Sequence, residues 1–139
     1  MAKTSGLGAA VVVDDASGSP QTITNDVTDF SLATPRALQD TTGVDKYAHE
    51  RLLLLADGTV QLKGVFNAAA NMSHAVLSSV PSTSVTRTVL LTPTASTTPN
   101  LSMEMLISSY DVARANGGEL TWSSDASLEN GAAPTWTNS

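Results

Sequence analysis

Glu50-Arg51-Leu52-Leu53-Leu54-Leu55-Ala56-Asp57-Gly58-Thr59-Val60-Gln61-Leu62-Lys63-Gly64-Val65-Phe66 changes its hydrophobic period at Asp57-Gly58. The first half is a continuous apolar run, the pattern of a strand buried on both faces. Asp57-Gly58 favours the positive φ angles of a tight hairpin turn. From Thr59 the pattern alternates, with Val60, Leu62 and Phe66 on one side and Thr59, Gln61 and Lys63 on the other, as in a half-buried strand. Beyond Phe66 the period becomes helical. Asn67 can cap a helix over 68–80, in which Met72, Val76, Leu77 and Val80 make one stripe. Pro81 stops it. From Ser84 to Leu91 the period returns to two. A lone hairpin with one amphipathic helix needs more sheet to cover it.

The rest of the chain supplies strands. Ala9–Val13 is β-branched, and Asp14-Asp15 with Ser17-Gly18-Ser19-Pro20 reads as a turn. Val27–Thr34 alternates weakly and ends at Pro35. Residues 36–49 lack a clear strand pattern and read as a long loop, of the kind that usually serves binding. A competing helix starts at Thr42, whose spacing to Asp45 is that of a capping box. The leucine run favours a strand from Glu50 instead. Leu101–Ala115 is a long strand whose apolar phase slips from odd positions (Met103, Met105, Ile107) to even ones (Tyr110, Val112). That slip requires a bulge, and Ser108-Ser109 is the natural place. Asn116-Gly117-Gly118 turns the chain into a last alternating strand with Leu120 and Trp122 inward. The expected class is mainly β: a sandwich or barrel of two packed antiparallel sheets with one flanking α-helix at about 68–80, in a single domain over 1–139.

Composition narrows the function. The chain has 139 residues, no cysteine and a net charge of −6. It therefore offers no disulfide framework and no thiolate metal site. Seven basic residues against thirteen acidic ones give little with which to neutralise phosphates. Serine and threonine make up about a quarter of the residues and charged residues only 14%, a weakly charged, hydroxyl-rich surface. No stretch reads as a signal peptide or membrane span, so the expectation is a chain made in a cytoplasm and soluble until it meets a partner.

Catalytic candidates are few. His49 and His74 are the only imidazoles, and no nucleophile-elbow motif accompanies them. Both read as solvated surface residues. Glu104, Asp111, Glu119 and Asp125 could supply paired carboxylates, but their spacing marks no two as buried neighbours, and a solvated face is the plainer reading. No catalytic, cofactor or metal site is expected, and the chain is read as no enzyme.

Several stretches resemble the major tail tube proteins of long, non-contractile-tailed (siphovirus-type) bacteriophages of actinobacteria. They are Thr34-Pro35-Arg36, Thr42–Lys46, Glu50–Asp57, Leu62–Asn67, Met72-Ser73-His74, Val80–Arg87 and Gly118–Trp122. The resemblance implies a virion structural protein whose six subunits form a ring. Stacked rings form a tube through which DNA passes, without specific binding, during genome ejection. Its implied partners are further copies of itself and other tail proteins: tape measure, terminator and distal tail proteins. Its implied place is the virion tail, after assembly in the host cytoplasm, with no cofactor and no membrane. The alternatives are a tail terminator or head–tail joining protein, which forms one ring, and a ligand-binding β-sandwich module.

Three segments are too polar or irregular for the core yet hold apolar anchors: an N-terminal arm (1–7), the loop 35–49 and a C-terminal arm (126–139). Leu7, Leu38, Asp45, Lys46, Tyr47, Leu128 and Trp136 are accordingly expected at subunit contacts. Glu104, Asp111, Glu119 and Asp125 fall on one face without a base, and are expected to line the lumen.

Overall fold

A computed structural model of the chain describes residues 3–129 and 131–138. It is mainly β, with two antiparallel sheets and one short helix, the expected class. The strands are β1 (Ala10–Asp14), β2 (Pro20–Thr22), β3 (Val27–Ala33), β4 (Arg36–Asp40), β5 (Arg51–Ala56), β6 (Thr59–Val65), β7 (Arg87–Thr92), β8 (Asn100–Arg114), β9 (Leu120–Leu128) and β10 (Trp136–Thr137). The large sheet runs β2-β1-β7-β8-β9-β6-β3, with β10 added to β8. β4 and β5 make a separate two-stranded sheet.

The large sheet holds the core. Val13 of β1, Leu91 of β7, Met105 of β8, Trp122 of β9 and Leu62 of β6 all belong to one buried cluster. Strands from both halves of the sheet order share that cluster, so the sheet wraps around it. The alternation read in Thr59–Phe66 is observed: Val60, Leu62 and Gly64 are buried while Thr59, Gln61 and Lys63 are exposed. The register of β8 against β9 shifts between Ile107 and Ser109, where the slip in phase required a bulge. Side chains stitch the bulge: Ser124 Oγ donates to the Ser109 carbonyl at 2.8 Å, and the Asp125 amide donates to Ser109 Oγ at 3.1 Å.

Three expectations are corrected. The helix α1 covers only Ser73–Leu77. Asn71 at φ 62 breaks the helical path before it, and turns carry the chain through 78–82. The stripe survives, since Val76 and Leu77 are fully buried. Asp57-Gly58 is no hairpin turn, because β5 pairs with β4 and β6 pairs with β3 and β9. A Cβ on Gly58 would lie 3.0 Å from Met103 Sδ, so glycine serves close approach there. The leucine run is indeed strand, but it is exposed on both faces rather than buried.

Polar side chains fasten 66–86 to the sheet. Buried Asp26 accepts hydrogen bonds from Asn67 Nδ2 and from the Ser73 amide, both at 3.0 Å, satisfying the start of α1. Arg87 is 1% exposed. Its Nη1 donates to the carbonyls of Val76 (2.6 Å) and Asp14 (3.2 Å), and its Nη2 donates to Ser79 Oγ (3.0 Å). On the same face Gly64 leaves room for the Asp26 backbone and the Trp122 ring. A Cβ at Gly64 collides with the Asp26 carbonyl. Gly64→Ala is therefore expected to cost about 3 kcal/mol, read as a lower urea midpoint in Trp fluorescence.

Candidate assembly surfaces

The strongest departure from an ordinary soluble surface is the β4–β5 hairpin. Every residue of β4 is exposed, as are Leu52, Leu53, Leu54 and Leu55 of β5. Leu38 pairs with Leu53 and Gln39 with Leu52, so both faces of the ribbon carry leucine. A bulge lies between Arg36 and Leu38, where Arg36 Nε and Nη2 both donate to the Leu54 carbonyl, at 3.1 and 3.0 Å. The segment read as a loop over 35–49 is thus strand in its first half. Alternation failed to show it because neither face of β4 meets a core.

The far end of the hairpin is closed by its own polar groups. Asp40 Oδ1 accepts from the amide (2.9 Å) and the hydroxyl of Thr42. The Glu50 amide donates to Thr42 Oγ1 at 2.9 Å. His49 Nδ1 lies 3.1 Å from Asp40 Oδ2. Lys46 Nζ is 3.6 Å from Asp45 and 3.8 Å from Glu50. Asp45, Lys46 and Tyr47 therefore sit at the tip, and Tyr47 is fully exposed. The Thr42 hydroxyl, then its amide, hold the Asp40 carboxyl below its ordinary value, with a smaller contribution from His49.

The other expected contact residues are dispersed. Leu7 is 83% exposed and lines a groove beside Val27 and Phe30. Leu128 ends β9 and packs partly against the core. Trp136 lies in β10, paired with Leu101, and is 39% exposed. The C-terminal segment 126–139 is therefore strand at its start, with a second short strand near its end. Of its residues, Asn130 and Ser139, like Met1 and Ala2 of the N-terminal arm, lie outside the described residues.

The four acids divide. Asp111 and Asp125 lie on the coreless face of β8 and β9, in adjacent cross-strand rows. One row runs Asp111, Ser123, Lys63, Asp29, and the next runs Ser109, Asp125, Gln61, Ser31. Glu104 shares this face but lies where β8 pairs with β7, accepting a hydrogen bond from the Thr88 hydroxyl. Glu119 is in the turn after β8. Asp29 completes the acidic face and was missed because β3 alternates only weakly.

Among the described residues two edges of the four-stranded unit β8-β9-β6-β3 stay open. β3 pairs only with β6, and β7 covers the far side of β8 no further than Met105, while β10 lies on the same side of β8 as β9. These edges are of similar length and run antiparallel to each other.

The two histidines have different surroundings. His49 is exposed at the hairpin end. His74 is half-buried rather than solvated, packed 4.7 Å from the Phe66 ring with Nδ1 3.0 Å from the Tyr110 hydroxyl. Among the described residues no cluster of three or more His, Asp or Glu could hold a metal ion.

No protein-family model and no curated protein matches the sequence. Solved structures do match in fold. A chain in the tail of an empty gene transfer agent particle, refined helically with C6 symmetry, has a TM-score of 0.72 at 18% identity, over 97% of this chain and 99% of that one. A chain in the virion of a native gene transfer agent particle has a TM-score of 0.70 at 15% identity, with the same coverage. A chain in the sixfold-symmetrised baseplate of the anti-feeding prophage has a TM-score of 0.66 at 9% identity, over 99% and 95%. These likenesses establish a shared fold.

The hairpin end should respond to acid. Its extra stability is complete above the ordinary aspartate value and is lost as the pH falls through the lowered Asp40 value. Asp40→Ala is expected to speed amide exchange over 41–50 at neutral pH. The domain's thermal midpoint should stay near that of the parent, as for an exposed surface change.

Proposed function

We propose that this chain is a tail tube subunit: copies close into rings, rings stack, and the genome passes through the bore. The observation that carries the reading is the pair of open, antiparallel edges on β3 and β8. Placing β8 of one copy beside β3 of the next continues the alternation of strand direction, and the contact joins two different surfaces. Head-to-tail contacts of that kind close into rings when the rotation allows. Closure consumes edges that would otherwise recruit strands indiscriminately.

Sixfold symmetry in two of the fold's relatives suggests six copies. Six four-stranded units give about 24 strands, which at ~4.8 Å spacing and ~40° tilt make a barrel roughly 48 Å across. The face turned from the core would line the bore. It carries Asp29, Asp111 and Asp125 against Lys63, surrounded by Ser31, Ser109, Thr121, Ser123 and Ser127. An acidic, hydroxylated wall repels phosphate, so DNA slides; a basic wall would hold it through counterion release. Only groups within about 8 Å of the DNA act at physiological salt. The exposed leucine hairpin favours a stacking filament over a terminator or joining protein, which stops at one ring.

Electron microscopy of the purified protein at high concentration should show rings and tubes. Protein that stays monomeric overturns the reading, and single rings that never stack favour the terminator alternative. Tubes of the parent should retain no DNA. Tubes of Asp111→Lys/Asp125→Lys should retain it at low salt and release it as salt rises, read by nuclease protection.

A further inference from the structure

The turn between β8 and β9 carries an Asn-Gly pair, Asn116-Gly117, and every residue from Asp111 to Leu120 is exposed. The Gly118 amide donates to the Ala115 carbonyl at 2.9 Å, and the Ala115 amide donates to the Glu119 carbonyl at 2.8 Å. Gly118 has φ 97, whereas Asn116 and Gly117 lie at ordinary negative φ. This is the three-residue hairpin loop built on a type I turn, with glycine at its left-handed position. Asn116 and Gly117 are the two central residues, whose amides the turn's own hydrogen bond does not use. Among the described residues, the Asn116 carboxamide and the Gly117 amide have no hydrogen-bond partner.

We propose that Asn116 is a modification site, deamidated by the chain's own backbone with water as the only co-reactant. The Gly117 nitrogen attacks Asn116 Cγ. The N–Cγ bond forms, the Cγ–Nδ2 bond breaks, and the Gly117 amide proton leaves with Nδ2 as ammonia, giving a succinimide ring. Water then opens the ring. Attack at Cγ gives aspartate, and attack at the main-chain carbonyl gives isoaspartate, in which the chain runs through Cβ and Cγ. Three features select this asparagine. First, glycine has no Cβ to crowd the attacking nitrogen. Second, cyclisation needs ψ of Asn116 to leave its turn value, and only two hydrogen bonds at an exposed loop tip oppose that opening. Third, comparable positions are tied down. Asn67 Nδ2 donates to Asp26 and its Oδ1 accepts from the Ala69 amide, while Asn100 Nδ2 donates to the Thr97 carbonyl. Asp57-Gly58 could form the same ring, but Gly58 is buried, its amide donates to Asp57 Oδ1 at 2.8 Å and its carbonyl accepts from the Leu128 amide at 2.8 Å. Conversion of Asn116 makes the formal charge of −6 more negative by one. The new carboxylate stands near Glu119, whose carboxyl already lies against Gly117. The isoaspartate product also adds a main-chain atom to the loop, which disturbs its 2.9 Å closure. None of this depends on the ring reading.

The test ages the folded protein at mildly alkaline pH, cleaves it after glutamate and weighs the fragments. Cleavage after Glu50, Glu104, Glu119 and Glu129 puts Asn116 in fragment 105–119 and Asp57 in fragment 51–104. The second Asn-Gly pair, whose Asn130 lies outside the described residues, falls in fragment 130–139 and is scored separately. Fragment 105–119 should gain the mass of one amide-to-acid exchange and split chromatographically into aspartate and isoaspartate forms. Its rate in the folded protein should lie within a few-fold of that in urea, whereas fragment 51–104 should form isoaspartate only after unfolding. Gly117→Ala should slow conversion of Asn116 many-fold. Its added Cβ meets only the flexible carboxyl end of Glu119, and near-ultraviolet circular dichroism checks that the variant folds. Asn116 that stays intact in the folded protein while converting in urea overturns the proposal. A folded Gly117→Ala protein that converts as fast as the parent overturns it too. Should that variant misfold, the comparison of folded with unfolded parent decides alone.

Discussion

The pairing of β8 with β9 across the bulge at Ser109 sets the rest of the structure. β8 has fifteen residues, and its two halves belong to different surroundings. Leu101, Met103 and Met105 point into the core beside β7, while Tyr110 and Val112 continue along β9. Because strand side chains alternate with a period of two, one unbroken register would turn Tyr110 outward and drive Asp111 toward Trp122. The extra residue restores the phase. It thereby keeps Asp111 and Asp125 on the polar face and Tyr110 over the core. β7 pairs no further than Met105, so the strand beyond it has an unpaired edge among the described residues.

The chain buries one core well and leaves a second set of apolar groups in water. Among the described residues thirteen large hydrophobic side chains are exposed, and seven of them lie on the hairpin. Scattered exposed apolar residues are ordinary, but a contiguous set signals a binding surface. A two-stranded ribbon is only marginally stable by itself. Here the bulge, the Arg36 bonds to Leu54 and the Asp40–Thr42 closure hold its shape without a core. The hairpin is thus organised ahead of any contact, and its stability is largely separate from that of the domain.

Strand periods legible in the sequence fared well wherever a core enforces alternation. Thr59–Val65, the slip at Ser108-Ser109 and the inward Trp122 were all readable for that reason. The leucine run misled because a strand exposed on both faces and one buried on both faces have the same composition. Only what packs against the strand distinguishes the two, and composition does not record it. β4 was unreadable for the same reason. The helix was overextended because propensity at Ala68–Ala70 yielded to the left-handed turn at Asn71. Arg87 is different: it shares the odd phase of Val89 and Leu91, so its inward direction was available from spacing, whereas its three acceptors were not. On the surface, the acids of β8 and β9 were legible from alternation. Leu120 read as inward because the pattern does not reveal where the core ends.

The buried polar groups follow from the same accounting of what each segment lacks. Two of the buried polar residues, Asp26 and Arg87, are turned mainly on backbone. Asp26 accepts from the Ser73 amide and Arg87 donates to the Val76 and Asp14 carbonyls. Those bonds satisfy a turn-rich segment that lacks enough helix to satisfy itself. With Asp26 and Arg87 committed in this way, the polar face left to solvent is shallow, weakly charged and spread along strands. The unpaired edges and the uncovered leucines are then the parts of the chain whose physical requirements remain unmet within one copy. Unpaired strand edges are answered by strand pairing and exposed leucines by apolar burial, two requirements that different surfaces of the chain carry.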